Sequence, residues 1–353
     1  MNAAKSTTIA IHARAGSFSD RWINYCQTNG HKYRLVNCYD SDIVSQLAPC
    51  DALLWHWHQN DTKAILFARQ FIASLDVTRT RVFPNIHTCW HFDDKVGQKY
   101  LLESIGAPLV PSYVFYELDD ALSWIDSTEF PKVFKLRGGA GSTNVRLVEN
   151  RLDAIRLCKK AFGKGFRPVA SYFADYQTRL KNTHQNKNYV AKLKRMPSRI
   201  RDILLMNRRR GREKGYVYFQ DYMPDNQFDT RVTVIGNRAF AFRRMVRSND
   251  FRASGSGAIS YDIAQIDMRC LEIAFNISER LRTQSLAFDF VQDTNSTPQL
   301  VETSYCYVAS AVAACEGYWD RELQWHEESL WPEDAIIQDM LSAVTKENSF
   351  SQS

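Results

Sequence analysis

The stretch Pro131-Lys132-Val133-Phe134-Lys135-Leu136-Arg137-Gly138-Gly139-Ala140-Gly141-Ser142-Thr143-Asn144-Val145-Arg146-Leu147-Val148 decides how this chain is read. An apolar alternation ends in Lys135, three glycines follow within four residues, and a second apolar run starts at Val145. The pattern predicts two antiparallel strands joined by a flexible flap. Glycine lets backbone N–H groups converge on an anion, Ser142 and Thr143 add hydroxyl donors, and Lys135 supplies a point charge at the mouth of the loop. Such a hairpin can close over phosphates; the same composition also describes a glycine-rich turn beside a surface lysine. Neither Gly-x-x-x-x-Gly-Lys-Ser/Thr nor Gly-x-Gly-x-x-Gly occurs, which excludes the two commonest nucleotide motifs.

Outward from the flap, 353 residues suffice for a large core and for two or more subdomains meeting at a cleft. With 24% charged and 44% hydrophobic residues the chain has the composition of a soluble globular protein, not a disordered one. No apolar run approaches the roughly 20 residues that span a bilayer, and Met1 to Lys5 carry no secretory pattern. A cytoplasmic protein with no membrane partner is therefore expected. The eight cysteines are scattered and never form Cys-x-x-Cys, as befits reduced core thiols. Between Lys192 and Lys214 ten Lys or Arg face only Asp202 and Glu213, a local net of +8 that exceeds the +6 of the whole chain. Such a cluster suits an anionic ligand; a solvated basic face is the ordinary alternative.

Short strands at 6–12, 34–37, 52–55 and 81–84, with helices after Ser19 and over 63–74, predict a small parallel α/β unit in the first 90 or so residues. Asp93 or Asp94 caps the next helix. Lys95 then stands at a helix start, an unfavourable place for a cation unless an anion lies nearby; a solvent-facing lysine is the alternative. Further helices are expected around 120–125 and after Asn150. The segment from 164 to 215 is the least legible. Strands are expected within 166–173 and 189–193, a loop over 182–188, and a basic helix over 197–207. Gln220-Asp221-Tyr222-Met223 ends a strand and crosses to the next element as an extended segment. It can offer backbone groups to a purine edge, or serve as a plain hinge.

Two hairpins follow. Arg231 to Ile235 alternates, Gly236-Asn237 turns, and Arg238 to Val246 returns. Pairing Ile235 with Arg238 brings Arg231 opposite Phe242 and puts Arg244 on the same face, where two arginines can grip phosphate or carboxylate oxygens. Arg252 lies in a glycine-containing loop beyond, and a long helix is expected from Asp262 to Leu281. In the second hairpin, pairing Gln292 with Gln299 sets Asp289 across from Glu302. Like charges opposite each other cost stability unless a divalent cation or an arginine compensates, and oxygen ligands suit Mg²⁺ better than zinc. Four histidines, at 56, 58, 87 and 91, could be gathered around zinc, but Trp55, Trp57 and Trp90 among them favour a packed or substrate-contacting surface. No Ser-His-Asp arrangement or Gly-x-Ser-x-Gly elbow is evident. The distal helix after Pro332 is expected to pack back on the body, with a homodimer contact as the second option.

This ordered set resembles the ATP-grasp superfamily, in particular the branch of ribosomal-protein S6 glutamate ligase and the ATP-binding part of glutathione synthetase. The resemblance covers roughly residues 90 to 310. It implies an α/β fold with α+β subdomains: an ATP-grasp fold carrying an N-terminal Rossmann-like pre-ATP-grasp domain. The divisions would be 1–92, 93–215 with the flap and a basic insertion, and 216–353 with the metal site. Lys95 and Lys135 match the family's two phosphate-binding lysines, and Gly138, Gly139, Gly141 and Ser142 its flap. Gln220, Asp221, Tyr222 and Met223 match the linker that holds adenine. Arg231 and Arg244 resemble its arginine hairpin, and Arg252 joins them as a candidate catalytic residue. Asp289 and Glu302 fall at its magnesium positions. Ser304 stands where asparagine commonly completes that set, which weakens one metal ligand, and the basic segment 192–214 has no placed counterpart.

The resemblance further implies ATP and Mg²⁺ as cofactors and a small-molecule or anionic acceptor rather than nucleic acid. The reaction would phosphorylate a carboxylate and let an amine or another nucleophile attack the acyl phosphate. Two other readings stay open: an ATP-grasp kinase acting on a hydroxyl, and a basic adaptor binding a polymer through 192–214.

Overall fold

A computed structural model describes residues 7–139, 144–167, 211–246, 253 and 257–350. Gly141, Ser142, Arg252 and the elements expected between 168 and 210 lie outside the described residues. The first unit alternates β1 (Thr8–His12), α1 (Phe18–Thr28), β2 (Lys32–Val36), α2 (Ile43–Leu47), β3 (Ala52–Leu54), α3 (Thr62–Leu75) and β4 (Arg81–Phe83). Its four strands are parallel in the order β2-β1-β3-β4, each joined to the next in the chain through an intervening helix. Ser17 rather than Ser19 caps α1, and Asp61 caps α3.

After α4 (Ile86–Cys89) comes α5 (Lys95–Ser104), whose N-cap Asp94 accepts from the Gly97 N–H at 2.9 Å. The chain then runs along the free edge of the large sheet, where Leu300 N–H donates to Pro108 O and Val110 N–H donates to Leu300 O. It next enters a smaller antiparallel sheet made of β5 (Ser112–Phe115), β6 (Lys132–Lys135), β7 (Val145–Val148) and β8 (Val217–Asp221), in the order β5-β8-β6-β7. Two helices, α6 (Leu118–Ser127) and α7 (Arg151–Phe162), cover it and close a core of Ala121, Ile125, Phe134, Cys158 and Phe219.

The large sheet holds β9 (Phe228–Ile235), β10 (Arg238–Met245), β11 (Ile259–Ser260), β12 (Ser285–Gln292), β13 (Pro298–Ser304), β14 (Tyr318–Trp319) and β15 (Trp325–His326). Its helix α8 (Met268–Leu281) is capped by Asp267, shorter than expected because Asp262 caps a separate 3₁₀ turn at Ile263–Gln265. After α9 (Ala309–Ala313), α10 (Pro332–Phe350) packs back on the body: Trp22 Nε1 donates to Glu333 O, and Arg21 forms a bidentate pair with Asp334. Two continuous cores join the first unit to the large sheet, whereas the smaller sheet has a core of its own. Two bodies therefore face each other across a cleft, linked at residues 108–111 and 222–227.

Candidate functional site

The cleft is furnished from both bodies. On the smaller sheet β6 carries Lys135, 4% exposed, whose ammonium donates to Gln220 Oε1 on β8. On the other side Lys95, 5% exposed at the head of α5, donates to the Gly139 carbonyl at 2.8 Å and pairs with Glu302 at 3.1 Å. Lys95 is thus no solvent-facing lysine. The anion needed beside a cation at a helix start is Glu302, and Asp94 and Asp93 assist. Burial pulls the Lys95 pKa down, but these three carboxylates outweigh it and hold it above the ordinary lysine value. For Lys135 the balance runs the other way: burial, with help from the charge on Lys95, pushes its pKa down to about 8 against the pull of Glu302 and Asp289.

The first hairpin forms with the expected register, Ile235 opposite Arg238 and Arg231 opposite Phe242. Arg231 grips Asp289 through Nε and Nη2 at 2.7 and 2.8 Å. Arg244 does the same to Asp229 and reaches Asp289 Oδ2 at 2.8 Å. Arg243 points away and lies over the Phe228 ring. The two guanidiniums hold the Asp289 carboxyl well below the usual carboxylate range in spite of its burial.

In the second hairpin Asp289 does lie opposite Glu302, by a different route from the count above. Gln292 pairs with Pro298 and Phe290 with Leu300, one residue off the expected register, and a β-bulge then restores Asp289 to Glu302. With Val301 as the extra residue, Leu300 enters the core while Glu302, 30% exposed, turns into the cleft. The edge of β13 is closed by Gln98, which donates to Thr303 O and accepts from Thr303 N–H.

Among the described residues, therefore, Lys95, Lys135, Gly139, Gln220, Arg231, Arg244, Asp289 and Glu302 meet in one place. Gly138 flanks them, packed against Asp93. The carboxylate of Asp221 pairs with Lys132 at 2.7 Å and its N–H donates to Pro111 O, so both of these groups are engaged. The Ser304 hydroxyl closes a local turn, donating to Cys306 O and accepting from Cys306 N–H. Tyr222 and Met223 lie half-buried between the bodies. Sequence reading missed Ser112 and Lys132 and took Asp93 only as a helix cap; Asp229 stands in the arginine-hairpin motif but was given no role, and the structure pairs it with Arg244. Asp93 accepts from Gly139 N–H at 2.6 Å and anchors the flap root; its position beside Lys95 was the available signal.

The zinc arrangement does not form. Among the described residues no group of three or more His, Cys, Asp or Glu can hold a metal. His56 stacks on Phe18, and burial drives the pKa of His91 down to about 4. Two facing carboxylates do fit a hard cation that takes most of its ligands from phosphate and water. Among the described residues Asp289 Oδ1 accepts one hydrogen bond, from Arg231 Nε, which leaves a lone-pair direction, and the Glu302 carboxylate lies beside Lys95.

No protein-family model and no curated protein matches the sequence. Solved structures share its fold. A RimK domain protein, titled ATP-grasp, from Sphaerobacter thermophilus is 16% identical over 95% of this chain and 99% of its own, with a TM-score of 0.53. N5-carboxyaminoimidazole ribonucleotide synthetase from Thermotoga maritima is 13% identical over 95% and 76%, with a TM-score of 0.59. D-alanine–D-alanine ligase from Bacillus anthracis is 12% identical over 97% and 99%, with a TM-score of 0.55.

Proposed function

We propose that this chain, whose fold is the ATP-grasp fold, is an ATP-dependent ligase that activates a carboxylate as an acyl phosphate and joins it to an amine or another nucleophile. The observation that carries the reading is the pairing of Asp289 with Glu302 across β12 and β13, inside a ring of Lys95, Lys135, Arg231 and Arg244. Two facing acids in a ring of cations suit a metal–polyphosphate complex, which brings both positive and negative charge to the cleft. The neighbours titled synthetase and ligase support the reaction class.

On this reading residues 220–223 border the adenine, and Lys95 and Lys135 neutralise phosphate oxygens. Asp289 and Glu302, with Ser304 beside them, would hold Mg²⁺, which when bound supplies charge between the phosphates. Arg231 and Arg244 stand where charge gathers on the transferred phosphoryl group, so their preorganised N–H groups lower its barrier. Closure of the flap from its root at Gly138 and Gly139 would keep water from the acyl phosphate. The acceptor is a small molecule, and the protein works in a reducing, cytoplasmic setting; all eight cysteines are free, and no helix among the described residues is long and apolar enough to cross a membrane. The test is incubation with ATP, Mg²⁺, hydroxylamine and pools of amino acids and carboxylates. Hydroxamate with stoichiometric ADP is expected. ADP with a phosphorylated hydroxyl product and no hydroxamate would replace the ligase by a kinase.

A further inference from the structure

Lys95 and Lys135 are both buried, yet their partners differ in kind. Lys95 is paired with the Glu302 carboxylate, whereas Lys135 donates to the neutral side-chain amide of Gln220. Among the described residues no carboxylate lies within ion-pair distance of Lys135; Glu302, Asp289 and Lys95 act on it only through space.

The orientation of the Gln220 amide follows from counting protons. Ser112 Oγ has one hydrogen and donates it to Val110 O at 2.8 Å. Toward Gln220 and Tyr218 it can then only accept, and both donate to it, from Nε2 at 3.0 Å and from the phenol at 2.9 Å. The Gln220 NH₂ therefore faces Ser112 and its carbonyl faces Lys135. A flipped amide would set two donors against an ammonium and leave Ser112 facing an acceptor with no proton to give.

We propose that Gln220, oriented by Ser112, is the positioning residue that holds Lys135 in place without neutralising it, so that Lys135 is the open receptor for a nucleotide phosphate. The inference rests on the nucleotide reading above and assigns within it a role to two residues of the small sheet. A carboxylate at 220 could accept the same hydrogen bond, but its charge would satisfy the ammonium and repel the phosphate. A buried ion pair of this kind competes directly with the ligand.

Titration calorimetry at pH 7 with ADP and with adenosine, on wild-type, Gln220→Glu and Ser112→Ala proteins, tests the proposal. Adenosine carries the base and sugar but no charge, so it reports damage to the linker alone. Gln220→Glu is expected to weaken ADP at least about tenfold more than it weakens adenosine. Ser112→Ala, which frees the amide to flip, should weaken ADP in the same selective way, by about threefold. Wild-type ADP affinity in Gln220→Glu overturns the proposal, and so does an equal loss for ADP and adenosine. If Gln220→Glu fails to fold, Ser112→Ala decides: a selective loss for ADP supports the proposal and unchanged affinity refutes it. Wild-type protein that binds no ADP refutes the ligase reading beneath it and this proposal with it, an outcome distinct from failure of the variants alone.

Discussion

Lys135 shows at the scale of one residue how a receptor for anions differs from a structural charge. Burial pushes its pKa down to about 8 from the ordinary 10.5, so between those values the unfolded chain holds a proton that the folded one has lost. Stability therefore rises with pH across that window, and below about pH 8 the penalty for the buried ammonium is present in full. Lys135→Met should accordingly stabilise the protein at pH 7 by about 2 kcal/mol, after allowance for the lost bond to Gln220. The gain should fade as the pH approaches 10, and nucleotide affinity should be lost throughout. Urea unfolding at pH 7 and 9.5 checks this; destabilisation at pH 7 would contradict it. Lys135 was legible in the sequence because it ends an apolar alternation before glycines. Its partner Gln220 was legible only as part of a linker, because the hydroxyl that orients it, Ser112, lies 108 residues away and carries no local pattern.

Among the elements, the hairpin of β6 and β7 is fastened at its root. Gly139 is held through its N–H by Asp93 and through its carbonyl by Lys95, and the Asn144 amide donates to Gly138 O. Gly139 has φ +128°, and a Cβ there would meet Asn144 Nδ2 at 2.3 Å. Gly139→Ala should therefore cost about 1–3 kcal/mol of stability and weaken ATP binding, because Asn144 must move and the backbone is strained. A melt combined with ATP titration would show both effects, and wild-type values in both would deny this root its role. The arginine hairpin was read with the right register because Gly236-Asn237 dictates a two-residue turn. The carboxylate hairpin has no such turn. The expected pairing of Asp289 with Glu302 held only because the bulge at Val301 cancelled a one-residue error at Gln292, and nothing in the local sequence announces a bulge.

Across the whole molecule, charge balance governs what the cleft can bind. Lys95, Lys135, Arg231 and Arg244 face Asp229, Asp289 and Glu302, so the acids are already compensated within the protein. A bare divalent cation would enter a site whose facing acids are already taken up by lysines and arginines. With Mn²⁺ as the paramagnetic probe, we expect no binding to the protein alone and tight binding once ATP or ADP is added. Tight binding of Mn²⁺ without nucleotide would contradict this balance. The parallel unit over the first 90 or so residues was legible because strands and helices alternate there, whereas the strand expected to open the third division at 216, β8 (Val217–Asp221), pairs with β5 and β6 of the smaller sheet. What was not legible is how the parts share cores. The first unit packs into the large sheet through residues such as Trp57, Phe92 and Tyr305, far apart in sequence, which form one aromatic cluster.

Whether Asp289 and Glu302 jointly serve a metal–nucleotide complex is tested most directly by the affinity of ATP for wild-type and Glu302→Gln protein with and without Mg²⁺. Mg²⁺ is expected to tighten ATP binding to the wild type, and Glu302→Gln to abolish most of this enhancement, about tenfold or more, while leaving metal-free ATP binding within about threefold. An undiminished Mg²⁺ enhancement in Glu302→Gln would contradict it.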